Sequence, residues 1–227
     1  MVLSKLCLIP FGNDQIAIAV SHSAFGAGHI GIAFHSVKEG PQVLHLAWHL
    51  KQYVDSIPAG LSACWGAFPL LLPPAASKQV VAFVRAVAKR DPPIGYGINF
   101  ITSKNSFSAN GRYIPPKGSN GLTCASFVIE VLRGAMINLV DLASWRSDPL
   151  NVEWGDKVCL ELSKSAELAH VEAVKRDVSG LRLRPTEVAG AATLDRKLWP
   201  ANFDAVQAPA EDVATALVAL CPPIRQL

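Results

Sequence analysis

Five cysteines and six histidines are the side chains in this sequence best suited to nucleophilic chemistry or metal binding. Cys124 stands apart from the other cysteines. It follows a Gly/Ser/Asn-rich loop (residues 117–121, KGSNG) and begins the strongest helical pattern of the chain, residues 122–133 (LTCASFVIEVLR). At a helix start the unpaired N–H groups and the helix dipole favour an anion, so a thiolate there is expected to have a lowered pKa. The same N–H groups can hold the oxyanion of an attacked carbonyl. Cys7, Cys64, Cys159 and Cys221 lack this setting; Cys221 precedes Pro222 and Pro223, which supply no free N–H groups. The competing reading of Cys124 is a small buried hydrophobe, a common state of free cysteine.

A thiol nucleophile needs a base, and the base needs an orienting partner. His29 opens an apolar strand pattern (HIGIAF) after Gly26, Ala27 and Gly28, small residues that leave room for a substrate or another backbone. His45 lies in the next such run, between Leu44 and Leu46, and in a hairpin it could orient the His29 imidazole. His22, His35 and His49 compete for both roles. Strict alternation puts His35 on the face of His29 and His49 on the face of His45, and the glycine-rich approach favours His29. For His29 and His45 the bland alternative is a satisfied strand histidine.

Other chemistries find less support. His45 and His49 have the HxxxH spacing, but on a strand such residues lie about 13 Å apart, so no metal and no cofactor is expected. No GxSxG motif supports a serine nucleophile, and Gly95-Tyr96-Gly97 reads as a turn rather than a phosphate loop.

The elements that must position these residues are strands first. Residues 15–21, 29–36 and 43–48 are rich in β-branched and apolar residues, and Lys38-Glu39-Gly40-Pro41 reads as a hairpin connection. Residues 51–75 carry no clear pattern. A helix is expected from a Ser77 N-cap to the Asp91-Pro92-Pro93 stop, with Val80, Val81, Phe83, Val84 and Val87 on its apolar face. Residues 94–120 read as a long loop. Gly134 reads as the C-cap of the Cys124 helix, and residues 164–178 as another helix with Leu168, Val171 and Val174 on one face. The composition changes after Gly180. The expected organisation is therefore a catalytic domain over residues 1–180 and an extension over 181–227 packed on it, with a short helix near residues 212–220. That extension is expected to shape the substrate cleft or to cover the core, with Leu198 and Trp199 anchored against the domain; simple surface packing is the bland alternative.

With 227 residues, half of them hydrophobic, the chain can bury a sizeable core. Only 17% are charged and the net charge is +3, with Lys and Arg scattered, which argues against a nucleic-acid partner. No run of about 18 apolar residues suggests a membrane span, and no signal-peptide pattern is recognised at residues 1–15. An odd number of widely spaced cysteines speaks against disulfides and for a reducing compartment. The expectation is thus cytoplasmic, or export without a cleaved signal.

A histidine opening a strand, a polar residue on the following strand and a later cysteine at a helix start resemble the permuted papain-like cysteine hydrolases. These are circularly permuted relatives of the NlpC/P60 peptidases and include lecithin:retinol acyltransferase-like proteins and permuted deubiquitinase-like peptidases. The resemblance rests on residues 28–32 (GHIGI) and 122–128 (LTCASFV), within segments that make up roughly a quarter of the chain. It implies an α+β fold, an antiparallel sheet with the nucleophile helix packed against it. It also implies a cysteine peptidase or amidase with Cys124 as nucleophile, His29 as base and His45 as orienting residue. The substrate would be a peptide, a protein or a small amide. Two alternatives remain open: a lipid-type thioesterase or acyltransferase, with residues 63–68 (ACWGAF) lining an acyl groove, and a binding module with a structural cysteine. Acyltransferases of this group carry asparagine before the cysteine and a hydrophobic anchor helix. Thr123 and the sequence CPPIRQL depart from both.

Overall fold

A computed structural model describes residues 3–10, 12–23, 28–36, 38–57, 64–100 and 106–222. Gly26, Ala27 and Ala63, singled out above, lie outside these residues, as do residues 223–227. The three apolar runs form strands β2 (Ile16–Ser21), β3 (His29–Ser36) and β4 (Gly40–Trp48). Three further strands complete the sheet: β1 (Ser4–Lys5), β5 (Lys51–Ser56) and β6 (Trp65–Pro69). The order is β1-β6-β2-β3-β4-β5, with every neighbouring pair antiparallel. The fold is α+β, as expected.

Alternation along the strands sorts side chains by size onto two faces. Ile16, Ile18, Val20, Ile30, Ile32, Phe34, Leu44 and Leu46 point into the main core. The opposite face carries small residues, Ala17, Ala19, Ala33 and Ala67, under Leu6, Ile57 and Trp65. Helices cover the face of large residues because only that face offers enough apolar surface to hold them.

Those helices begin with α1 (Pro74–Arg90), whose apolar stripe of Val80, Val81, Phe83, Val84 and Val87 is buried. It starts at Pro74, not after Ser77: proline is pre-organised for a first turn, and the Ser77 hydroxyl instead donates to the Asp14 carbonyl. The next helix, α2 (Cys124–Gly134), packs on β3 and β4. Gly134 is its last residue rather than a cap beyond it. A Cβ there would lie 2.4 Å from the Phe83 ring, so glycine serves the α1–α2 contact.

The remaining helices are α3 (Leu150–Leu162), α4 (Leu168–Arg176), α5 (Pro185–Thr193) and α6 (Phe203–Leu220). In α4, Val171 and Val174 are buried but Leu168 is exposed, contrary to the expected stripe. Helix α5 sends Val188, Ala189, Ala191 and Ala192 into the main core, and α6 adds Val206, Val213 and Leu217. Gly190 lets the two approach closely, since a Cβ on it would meet Ala210 N at 2.7 Å. Trp199 is anchored through its indole N–H on the Ala191 carbonyl, whereas Leu198 is exposed. Among the described residues no helix is long and apolar enough to cross a membrane.

One expectation is overturned outright. Cys64 and Cys221 form a disulfide with their Cα atoms 5.5 Å apart. They are 157 residues apart in sequence, and only the packing of the end of α6 beside the start of β6 brings them together. That docking is reinforced by His22, whose Nε2 lies 2.7 Å from the Cys221 carbonyl.

The entrance to α2 is fixed by glycine. Leu122 N–H donates to the Gly95 carbonyl at 2.9 Å, and Gly97 N–H donates to Leu122 O at 3.3 Å. Gly121 has φ +129°, and a Cβ on it would stand 1.8 Å from Gly95 O. Gly121→Ala is therefore expected to lower unfolding stability by at least about 2 kcal/mol, read as a reduced urea midpoint.

Candidate active site

Cys124 is the first residue of α2 because Thr123 caps the helix. Ser126 N–H donates to Thr123 Oγ1 at 3.2 Å, and Thr123 N–H donates to Ser126 Oγ at 2.8 Å, a reciprocal capping box. This uses the third N–H of the turn and leaves those of Cys124 and Ala125 directed at the sulfur. A third amide comes from β3. The β3–β4 ladder starts at the Ile32–Leu44 pair, so Ile30 lies beyond it, and the Ile30 N–H also faces the Cys124 sulfur. The sulfur thus sits at the residue that follows His29 in β3. Among the described residues, no hydrogen bond joins it to a histidine ring.

His29 and His45 come together as the sequence suggested. His29 Nε2 lies 2.7 Å from His45 Nδ1. Gly31 makes this possible: a Cβ there would be 3.0 Å from His45 Cβ and 2.9 Å from Leu44 O. The pair projects towards Trp65, whose ring lies 5.4 Å from that of His29 and 5.3 Å from that of His45. His45 in turn reaches Asp55 on β5, with Nε2 2.9 Å from Oδ2.

This chain of contacts fixes the tautomers. As a carboxylate, Asp55 only accepts, so His45 donates through Nε2–H. Burial pushes the His45 pKa down, against the opposing hydrogen bond and charge of Asp55, and the ring is neutral. Its Nδ1 is then a bare acceptor, and His29 must donate through Nε2–H. Burial, and secondarily His45, drives the His29 pKa down to about 3. His29 is therefore neutral with a free lone pair on Nδ1, the form a general base requires.

The thiol departs from expectation. Burial outweighs the helix start and pushes the Cys124 pKa up to about 11. The opposing influences are the Ile30 N–H, then the Arg182 guanidinium, then the N–H groups of Ala125 and Cys124. The resting pair is a neutral thiol and a neutral imidazole, not a thiolate and an imidazolium.

The competing histidines lie elsewhere in the fold. His49 lies past the β4 irregularity between Leu46 and Trp48; its Nδ1 accepts from Tyr96 N–H at 3.2 Å and its ring lies 4.4 Å from that of His170, tilted by 49°. His35 is at the far end of β3, roughly 20 Å from His29. The segment considered as an acyl-groove lining is strand instead: Trp65, Gly66, Ala67 and Phe68 are buried in β6, and Cys64 is in the disulfide.

Sequence reasoning missed Asp55 and Arg182. Had residues 51–56 been recognised as a strand, the β4–β5 register would have found Asp55. It pairs with Val43 while His45 pairs with Tyr53, which makes Asp55 the diagonal neighbour of His45. Arg182 carries no local signal, because only the fold brings it to Cys124.

In comparisons with known proteins, no family model, no curated protein and no solved structure matches this chain.

The lowered His29 pKa has a consequence for stability. The unfolded chain, with His near 6.5, takes up the proton before the folded one does. Stability is therefore expected to fall as pH drops from 6.5 towards 3, and His29→Gln should flatten part of that fall. Urea midpoints at pH 7 and pH 5 check this; equal slopes for both proteins would mean that the ring is not held neutral.

Proposed function

We propose that this chain is a cysteine amidase or peptidase of the permuted papain-like kind, acting through an acyl-enzyme on Cys124. The observation that carries the reading is the Asp55–His45–His29 chain, which leaves a bare Nδ1 on the histidine adjacent to Ile30, whose amide touches the sulfur. The base removes the thiol proton as sulfur attacks the carbonyl carbon. The resulting oxyanion is held by N–H groups at the helix start. The imidazolium then protonates the leaving amine, and water releases the acid by the reverse proton path. Because both partners rest neutral, the proton moves during attack rather than beforehand. His45 holds the His29 ring and its tautomer, and Asp55 holds His45.

A binding module with an inert thiol is the competing reading, and the upward push on Cys124 favours it. For the compartment, the Cys64–Cys221 disulfide favours an oxidising one and hence export.

Acylation separates the two readings. With p-nitrophenyl acetate, a burst of p-nitrophenolate is expected, together with an acetyl group located on Cys124 by peptide mass. Cys124→Ala should remove both while leaving the far-UV spectrum unchanged. If acetyl never appears on Cys124, or if turnover survives Cys124→Ala, the hydrolase reading is lost.

Asp55→Asn tests the relay. The amide can donate as well as accept, so it no longer imposes one tautomer on His45. A loss of about 10–100-fold in the acylation rate is expected, by analogy with groups that orient a ligating or catalytic histidine, with little change in substrate KM. An unchanged rate would remove Asp55 from the mechanism.

A further inference from the structure

Arg182 lies on the segment that leads into α5, between Leu181 and Leu183, which pack in the same core cluster as Cys124. Its neighbourhood is tied to the start of α2 through the 94–100 segment. Phe100 N–H donates to Leu181 O at 3.2 Å, and Tyr96 forms a β-bridge with Leu122. The guanidinium carbon stands 3.4 Å over the centre of the Trp154 ring, so the group is held flat by stacking.

The charged groups around Arg182 leave it without a carboxylate. Arg184 is paired with Asp148. Glu187 accepts from Trp145 Nε1 at 3.2 Å and from Arg184 N–H at 2.8 Å. Asp148 also feels the Arg182 charge, and Tyr96 and Cys124 are the other ionisable groups in its field. Among the described residues Arg182 forms no hydrogen bond and no ion pair. Beneath it, the Trp154 indole N–H is buried with no partner among the described residues. Burial, and secondarily the Arg184 charge, lowers the Arg182 pKa to about 10, against the opposing influence of Tyr96, Cys124 and Glu187.

We propose that Arg182 is a substrate-binding residue that takes a carboxylate on the residue flanking the bond attacked by Cys124. The planar fork of a guanidinium matches a carboxylate in two parallel hydrogen bonds. Arg182 lies in the field of the Cys124 thiol, and the Phe100–Leu181 and Tyr96–Leu122 links hold their segments together, so that carboxylate would flank the attacked carbonyl. The substrate class is then an amide or peptide with a free acid at the cleavage point, not a neutral amide or an acyl lipid. This deepens the hydrolase reading and rests on it.

The test is chosen to work without turnover. Iodoacetate and iodoacetamide both alkylate a thiolate, with the S–C bond forming as iodide leaves, and differ in that only one carries a carboxylate. The ratio of their rates at one cysteine cancels the thiolate fraction. Site-resolved mass spectrometry at pH 8.5 should give a Cys124 ratio about tenfold higher in the wild type than in Arg182→Gln, the order expected for one nearby charge at a partly buried site. Arg182→Lys should fall between. Salt supplies a measurement that needs no variant. Raising NaCl from 20 mM to 1 M should lower the Cys124 ratio, because it screens an attraction. For N-acetylcysteine, where thiolate and iodoacetate repel, the ratio should rise.

A Cys124 ratio that is the same with and without Arg182, or that rises with salt like the free thiol, would overturn the proposal. So would failure of both reagents to reach Cys124 in the folded protein. The ratio can respond to Arg182 even where no acyl-enzyme forms, and a flat ratio with intact turnover would sink the carboxylate subsite alone.

Discussion

A neutral imidazole can donate through only one of its nitrogens, and the candidate site is organised around that limit. Asp55 accepts a hydrogen bond from His45 Nε2–H, His45 Nδ1 accepts one from His29 Nε2–H, and His29 is left with a bare Nδ1. Each link needs a strand at a defined register. The β4–β5 pairing sets Asp55 diagonal to His45, and Gly31 lets His45 lean over β3 to meet His29. The two-faced sheet follows from the same arrangement. Large aliphatic side chains on one face hold the helices, while alanine and glycine on the other leave room for the two imidazoles and Trp65.

Cys124 and His29 come from different elements, and the Cys124 sulfur meets β3 where β3 and β4 part. Below Ile32 the ladder stops and the Ile30 amide is released to the Cys124 sulfur. Gly121 and Gly95 set the backbone path into α2, and the Thr123–Ser126 box fixes where the helix begins. Burial makes the site electrically quiet at rest. Both the thiol and the His29 ring are pushed towards their neutral forms, and the helix start is too weak to reverse this for sulfur. In such a site a charge has more effect than in water, and the Arg182 guanidinium is the charged side chain that acts on the thiol.

Much of this was legible in the residues themselves. The limits of β3 were read correctly because its β-branched and apolar run is bounded by glycine and by a turn sequence. The apolar stripe of α1 and the helical pattern that begins at Cys124 were equally plain, since both repeat at helical spacing. The pairing of His29 with His45 followed from a hairpin whose connection is visible in the sequence. Where the reading failed, the signal was local and ambiguous: Ser77 and Gly134 have the residue types of caps but serve tertiary contacts, to Asp14 and to Phe83.

By itself the sequence determined the alternation that makes the sheet, the helix that starts at Cys124 and the proximity of two histidines on neighbouring strands, because each depends on residues close together in the chain. The tertiary structure alone decided the rest. Asp55 became the end of a hydrogen-bonded chain only through strand register, Cys64 met Cys221 across 157 residues only through the docking of α6, and Arg182 came into the field of Cys124 only through the packing of the segment before α5. Burial decided the protonation states as well. The cost of holding a charge away from water depends on everything packed around it, and no stretch of sequence contains that information.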